Sequence, residues 1–275
     1  MMDTPTHEPK ATEEEQPQNG MIGNSAAMLQ VYEKVRRVAP TDATVVIEGE
    51  TGTGKELVAR LIHRLSLRAR QDFVPVDCAA IASSRLESEL FGALRGALTG
   101  PERERGSAFE AANRGTVFLD EIGELDKRFQ AHLVRFLQDR DVRPPGVPGS
   151  SGADVRLICS THRDLQRMVD ESQFREGLWY RLNTVRIVLP PLRERRDDIP
   201  LLARFYVDKY NTSYHREVQL MDSGIQALQD CSWPGNVLQV QRVIEGLTIL
   251  AERIDGESVS DALSGMEPRD PPTKR

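Results

Sequence analysis

A glycine-rich run at residues 49–56 carries the residue types that bind phosphate. It reads Gly-Glu-Thr-Gly-Thr-Gly-Lys-Glu, fits the pattern GxxxxGK, and lies between an apolar segment and a helical pattern. Backbone N–H groups of such a loop can surround phosphate oxygens, and Lys55 adds charge for the β- and γ-phosphates. Glu56 stands where Ser or Thr normally helps to bind Mg²⁺. The run predicts a nucleotide site whose candidate residues are Gly49, Glu50, Thr51, Gly52, Thr53, Gly54, Lys55, Glu56 and Leu57.

Two adjacent carboxylates form the second chemical signal. Residues 116–121 read Thr-Val-Phe-Leu-Asp-Glu, an apolar strand that ends in Asp120 and Glu121. An acidic residue at the carboxyl end of such a strand lies beside the phosphate loop in α/β sheets. There Asp120 would help to hold Mg²⁺, and Glu121 would polarise the attacking water. Taken alone the run is also typical of a solvated strand end, and the phosphate loop favours the functional interpretation.

Short apolar runs alternate with helical patterns, and these elements must position the two signals. This alternation predicts a parallel sheet flanked by helices, an α/β fold. The predicted strands are residues 43–48, 73–77, 116–120, 155–160 and 185–189, separated by helices at 56–68, 85–91 and 127–139.

From residue 190 onward the sequence shows helical patterns and no strand pattern. They occupy residues 199–211, 223–229 and 236–251, and predict a small helical subdomain. Both chain ends are polar and read as flexible tails. The predicted domains are a disordered tail at 1–21, an α/β nucleotide-binding subdomain at 22–190, a helical lid at 191–255 and a flexible tail at 256–275.

Composition excludes several other classes of protein. There are 36 Lys and Arg against 42 Asp and Glu, so a formal net charge of −6 argues against a general nucleic-acid coat protein. The three cysteines are far apart in sequence and predict neither disulfides nor a zinc site. The acidic N-terminus and the lack of a long apolar run predict a cytoplasmic protein without a membrane anchor.

Several further runs occur in an order that identifies a family. They lie at residues 49–56, 96–100, 115–125, 174–183, 189–196 and 233–237. Together they resemble the AAA+ domain of bacterial enhancer-binding proteins, the sigma-54-dependent transcription activators. The resemblance implies a P-loop AAA+ sheet followed by an all-helical lid, and a homo-oligomeric ring, usually a hexamer, with ATP between subunits.

In that family ATP hydrolysis drives a surface loop that remodels RNA polymerase bound to sigma-54. The resemblance assigns this loop to Gly96, Ala97, Leu98, Thr99, Gly100 and Pro101. It also implies that Arg175 and Arg181 reach into the neighbouring subunit's site, where an arginine neutralises transition-state charge. Spacing alone would favour two surface arginines around an aromatic anchor. Asp77 matches a residue that positions the water-activating glutamate.

Three departures from the family pattern bear on function. Leu98 replaces an aromatic residue and Pro101 an alanine in the loop, which predicts weak contact with sigma-54. The sensor strand ends Thr161-His162 instead of Thr-Asn, and Leu238 replaces the lid arginine that monitors the γ-phosphate. We therefore expect slow ATP hydrolysis, with Arg242, one helical turn after Leu238, as a candidate substitute.

Three interpretations stay open from the sequence. The first is a ring-forming ATPase that regulates transcription through sigma-54 polymerase. The second is an ATPase of the same descent that acts on another client. The third is a degenerate module that binds nucleotide and modulates partners with little hydrolysis. No pattern for a DNA-binding helix pair occurs in the chain.

Overall fold

The computed structural model of the chain describes residues 21–81, 90, 107–139 and 154–264. Its larger sheet contains five strands: β1 (Val45–Glu48), β2 (Phe73–Asp77), β3 (Thr116–Asp120), β4 (Arg156–Thr161) and β5 (Val185–Val188). The helices around it are α1 (Ala26–Val38), α2 (Lys55–Arg64), α3 (Ala108–Ala111), α4 (Lys127–Asp139), α5 (Leu165–Asp170) and α6 (Glu176–Leu182). After β5 follow α7 (Ile199–Tyr214), β6 (Gln219–Leu220), α8 (Asp222–Asp230), α9 (Asn236–Leu250), β7 (Arg253–Ile254) and α10 (Gly256–Ser264).

The five strands are all parallel, in the order β2-β3-β4-β1-β5. The predicted α/β sheet is thereby confirmed, with strand bounds within two residues of those expected. Because parallel strands end at the same edge, the loops after β1, β3 and β4 lie side by side. This edge collects the phosphate loop, the two carboxylates and the sensor strand end.

Both faces of the sheet are buried, which explains its continuous apolar strands. Neighbouring residues of β1 divide between two cores: Val46 faces α4 and α6, whereas Val45 and Ile47 pack with α1 and α2. The sequence analysis did not predict α1. Ser25 caps this helix by accepting a hydrogen bond from the Met28 amide, and its buried residues recur at helical spacing (Met28, Val31, Tyr32, Val35 and Val38).

The helical subdomain has a core of its own around Trp233. The indole is 1% exposed and donates to the Leu228 carbonyl at 2.7 Å. The three predicted helices are present, and two expectations need correction. The strands β6 and β7 pair in parallel where no strand was predicted. The chain also continues as a helix at Gly256–Ser264, with Val259 fully buried, where a flexible tail was expected from residue 256.

Some sequence predictions fall outside the described residues. They are the N-terminal tail up to residue 20, the helix at 85–91 apart from Leu90, the loop at 96–101 and the C-terminal end from residue 265. Among the helices that the structure describes, none has the length and apolar character to cross a membrane.

Candidate nucleotide-binding and catalytic site

The phosphate loop lies between β1 and α2, and glycine allows its backbone path. Gly52 and Gly54 have φ values of +79° and +103°, a backbone region that residues with a side chain rarely adopt. A Cβ at Gly52 would lie 2.3 Å from the Gly235 carbonyl oxygen, so this position is also closed to larger residues by contact with the helical subdomain. Thr53 is buried, and its hydroxyl donates to the Glu50 carbonyl at 2.7 Å.

Lys55 is the first residue of α2 and only 7% exposed. Its Nζ donates to the Gly49 carbonyl at 3.0 Å and pairs with Glu121 Oε1 at 3.0 Å. The amine therefore lies within the loop, between β1 and the carboxylates after β3. The position suits an amine that meets a phosphate group held by the loop amides.

Ser160 of β4 organises the two carboxylates. Its hydroxyl donates to Asp120 Oδ1, and its oxygen accepts from the Glu121 amide at 3.1 Å. Glu121 has a φ of +57°, which turns its side chain away from the line of the strand. Burial, followed by the neighbouring Glu121 charge, raises the pKa of Asp120 despite the hydrogen bond from Ser160. The sequence analysis missed Ser160, although it lies at the end of a predicted strand.

Glu121 receives hydrogen bonds from two directions. Lys55 Nζ pairs with Oε1 at 3.0 Å. The other oxygen, Oε2, accepts a hydrogen bond from the His162 amide at 3.1 Å and lies 2.6 Å from His162 Nδ1. Burial opposes ionisation, but the hydrogen bonds from Lys55 and His162 outweigh it and hold the pKa of Glu121 below its ordinary value. Glu121 is therefore a carboxylate at neutral pH, as a group that polarises water must be.

Asp77 and Thr161 lie at the same edge, with side chains turned to their own loops. Asp77 pairs in register with Asp120, and its Oδ1 accepts from the amides of Ala79 and Ala80 at 2.9 and 3.0 Å. Thr161 is fully buried and accepts from the Arg163 amide at 3.0 Å. In this structure the contact with Glu121 comes from His162, whereas the resemblance implies a positioning role for Asp77.

The helical subdomain contacts the phosphate loop through Asn236. This residue is fully buried at a φ of +52°, and its side-chain amide donates to the Thr51 carbonyl at 3.0 Å and to Glu50 Oε2 at 3.1 Å. Its Oδ1 accepts from the Leu192 amide at 2.8 Å. Arg193 adds a bidentate pair with Glu50 at 2.7 and 2.8 Å. Asn236 belongs to the Trp-Pro-Gly-Asn run that carries part of the family resemblance, but the sequence alone does not predict this contact.

Leu238 lies against the loop, where the resemblance implies a lid arginine. Its amide donates to the Gly52 carbonyl at 3.3 Å, and the residue is 47% exposed. Arg242, the candidate substitute, lies on an exposed part of α9, where its Nη1 donates to Glu245 Oε2 at 3.1 Å. Glu56 is likewise turned to solvent, where it pairs with Arg60 at 2.7 Å.

The two candidate arginines lie on the surface at opposite ends of α6. Arg175 precedes the helix, and its Nε donates to the Lys127 carbonyl at 2.9 Å. Arg181 lies exposed in the last turn. Trp179 anchors the helix, since it is 6% exposed and donates to Gln166 Oε1 at 2.8 Å. Tyr180, the next residue, is 72% exposed.

Comparison with known proteins decides the family. Residues 21–188 match the model of the sigma-54 interaction domain, and residues 193–275 match that of an AAA+ ATPase lid domain. This chain belongs to the sigma-54 interaction domain family. The sequence-based recognition is confirmed.

Other members of the sigma-54 interaction domain family share much of this sequence. The chain is 46% identical over 244 residues to the Nif-specific regulatory protein of Bradyrhizobium diazoefficiens, covering 88% of this chain and 42% of that protein. It is 44% identical over 255 residues to the transcriptional regulatory protein ZraR of Klebsiella oxytoca, covering 92% and 57%. The chain thus spans about half the length of these relatives.

A similar solved structure is that of NtrX from Brucella abortus in complex with ATP. It superposes with a TM-score of 0.79 at 34% identity, covering 88% of this chain and 57% of that one. The fold of the family is therefore present here, with both the sheet and the helical lid.

The side chains at this site suit Mg²⁺ only when a bound nucleotide supplies phosphate oxygens as further ligands. Within the ranges that the structure describes, no group of three or more His, Cys, Asp and Glu side chains is gathered to hold a metal ion. Mg²⁺ in nucleotide sites needs one or two carboxylates, with phosphates and water as its other ligands. Asp120, half-buried at the strand end beside the phosphate loop, fits that requirement. Glu56, directed to Arg60, does not.

Proposed function

We propose that this chain is an ATP-hydrolysing, ring-forming module that regulates transcription through sigma-54 RNA polymerase. The observation that carries the proposal is the 3.0 Å ion pair between Lys55 of the phosphate loop and Glu121 at the end of β3. It brings a phosphate-binding amine and an ionised carboxylate to one point of the sheet edge. Family membership supports the choice of ATP and of sigma-54.

In this proposal each residue has a separate task. The loop amides and Lys55 bind the phosphates, and Asp120 is the protein ligand for Mg²⁺, which supplies charge neutralisation at the phosphates. Glu121 orients and polarises the attacking water. Asn236 and Arg193 tie the lid to Glu50 of the loop, so loop and lid respond together to an occupied site.

The assembly of subunits into a ring is proposed on the basis of Arg175 and Arg181. Both lie at exposed positions on the surface of the sheet domain, and a site that takes an arginine from the neighbouring subunit couples hydrolysis to assembly. The client contact is proposed for the loop at residues 96–101, on its sequence alone.

A second candidate is a nucleotide-binding module with little hydrolysis. The observation that favours it is Leu238, which lies next to Gly52 and offers no charge to a bound phosphate. An arginine there would donate charge-assisted hydrogen bonds worth about 1.5–3 kcal/mol each. Leucine offers packing alone, so the site could bind nucleotide and turn it over slowly.

Binding to sigma-54 in the presence of ADP–aluminium fluoride tests the client assignment. We expect weak binding by the parent and stronger binding by the double variant Leu98→Phe with Pro101→Ala, because an aromatic tip offers more apolar contact and the proline fixes its backbone. The variant Lys55→Ala serves as the control that cannot load the analogue. If neither the parent nor the double variant binds sigma-54 above this control, the client is another protein.

A further inference from the structure

His162 makes a paired contact with a single oxygen of Glu121. Its backbone N–H donates to Oε2 at 3.1 Å, and Nδ1 of its ring lies 2.6 Å from the same atom. The two side chains are 40% and 18% exposed. A contact from both the backbone and the ring of one residue fixes the direction of the carboxylate as well as its position.

The chemistry of the contact defines which ring nitrogen carries a proton. An ionised carboxylate only accepts hydrogen bonds, so Nδ1 has to be the donor toward Glu121. Nε2 is then left for other contacts. His162 borders an open cavity of about 520 Å³, whose lining includes Gly49 and Glu50 of the phosphate loop.

Lys55 pairs with the other carboxylate oxygen of Glu121, Oε1. Lys55 and His162 differ in the further contacts that each has to make. A lysine that binds phosphate has to leave Oε1, whereas His162 can keep Oε2. We propose that His162 is a positioning residue that holds Glu121 through Nδ1–H and its own amide while Lys55 serves the phosphates. The kinetic consequence of this inference rests on the proposed function.

Three substitutions separate a positioning role through Nδ1 from a phosphate contact through Nε2. The side-chain amide nitrogen of Asn lies at the same distance along the side chain as Nδ1, whereas that of Gln lies one bond further, as Nε2 does. Misplacing a catalytic group by about 1 Å can cost on the order of 100-fold in rate. We expect His162→Ala and His162→Gln to lower kcat by roughly 10- to 100-fold, and His162→Asn to stay within about 3-fold of the parent.

The same series measured for KM completes the kinetic test. A positioning role leaves KM for ATP nearly unchanged in all three variants, since the phosphate loop and Lys55 are intact. If His162→Asn is as slow as His162→Ala, or if His162→Gln retains parent activity, Nδ1 is not the working atom. A rise in KM with kcat unchanged would also overturn the proposal.

Nitrogen NMR of the histidine rings tests the contact without any hydrolysis. In ¹⁵N-histidine-labelled protein we expect Nδ1 of His162 to carry the proton that it donates to Glu121, and Glu121→Ala to shift that proton to Nε2. His63, whose Nδ1 lies 2.9 Å from Thr116 Oγ1, is the internal control and should not change. An unprotonated Nδ1 in the parent overturns the inference, whether or not ATP is hydrolysed. A protonated Nδ1 in a protein without ATPase activity supports the contact and refutes the proposed function instead.

Discussion

Lys55 Nζ and Glu121 Oε1 lie 3.0 Å apart, so the residues that define the two chemical signals in the sequence bind each other. They are 66 positions apart along the chain and meet because β1 and β3 end at the same edge of a parallel sheet, with β4 between them. In the proposed function, Lys55 would exchange this ion pair for one with a phosphate group. The exchange would lower the affinity for the nucleotide and free Oε1 of Glu121.

The variant Glu121→Gln should separate binding from hydrolysis. A neutral amide cannot polarise water as the carboxylate does, so we expect kcat to fall by about 10²- to 10⁴-fold. ATP affinity should be equal to or tighter than that of the parent, because Lys55 is no longer held by a charged partner. Nucleotide titration and steady-state hydrolysis measure the two effects. Glu124→Gln, which removes a partly exposed ion pair with Arg163, is the matched control. Parent-like hydrolysis by Glu121→Gln would disprove the role assigned to Glu121.

Leu238→Arg should raise turnover at least several-fold. The leucine amide already contacts the Gly52 carbonyl, so an arginine at this position starts beside the phosphate loop. One charge-assisted hydrogen bond of about 1.5–3 kcal/mol corresponds to one or two decades in rate or binding. Leu250→Arg, at an 86% exposed position at the end of the same helix, controls for the added charge. If Leu238→Arg hydrolyses ATP no faster than this control, the lid does not limit turnover through Leu238.

Asn236→Gly should loosen the lid. Glycine accepts the φ of +52° without strain, so the variant loses the hydrogen bonds to Thr51, Glu50 and Leu192 and little else. Losing these hydrogen bonds, with the buried Leu192 amide left without its acceptor, should lower the free energy of unfolding by about 1–3 kcal/mol, measured by denaturant titration. Asn183→Gly, at the exposed end of α6, is the control. A change no larger than the control's would show that Asn236 does not hold the lid.

Acidification should remove the stability that Glu121 contributes. The folded-state pKa of Glu121 is lowered, so its contribution is present above the ordinary glutamate pKa of 4.5 and is lost as the pH falls through the folded-state value. The pKa of Asp120 is raised, chiefly by burial, so this residue acts in the opposite direction, and the part of the rise that the Glu121 charge causes is absent from the variant. We expect the parent to exceed Glu121→Gln in Tm near pH 7 and the difference to shrink below pH 4.5. A difference that stays constant down to about pH 3 would contradict the ion-pair assignment.

The sheet and the catalytic edge could be predicted because their signals are local. Buried parallel strands read as unbroken apolar runs, and the phosphate loop has a fixed pattern before a helix. The contact of His162 with Glu121 could not be predicted, since it depends on a positive φ at Glu121 and on the turn after β4. The helix at Gly256–Ser264 was missed because Val259 is its one fully buried side chain. Its start does carry a local signal, the reciprocal hydrogen bonds between Asp255 and Ser258.

Specific ATPase activity against protein concentration tests the central proposal most directly. If Arg181 completes the site of a neighbouring subunit, activity per chain should rise with concentration, and Arg181→Ala should lose at least about 10³-fold in kcat while it keeps ATP binding. Arg167→Ala, which removes an exposed arginine paired with Glu171, is the control and should behave like the parent. A monomeric fraction that hydrolyses ATP at the full rate, or an Arg181→Ala variant as active as the control, would contradict hydrolysis at a site shared between subunits.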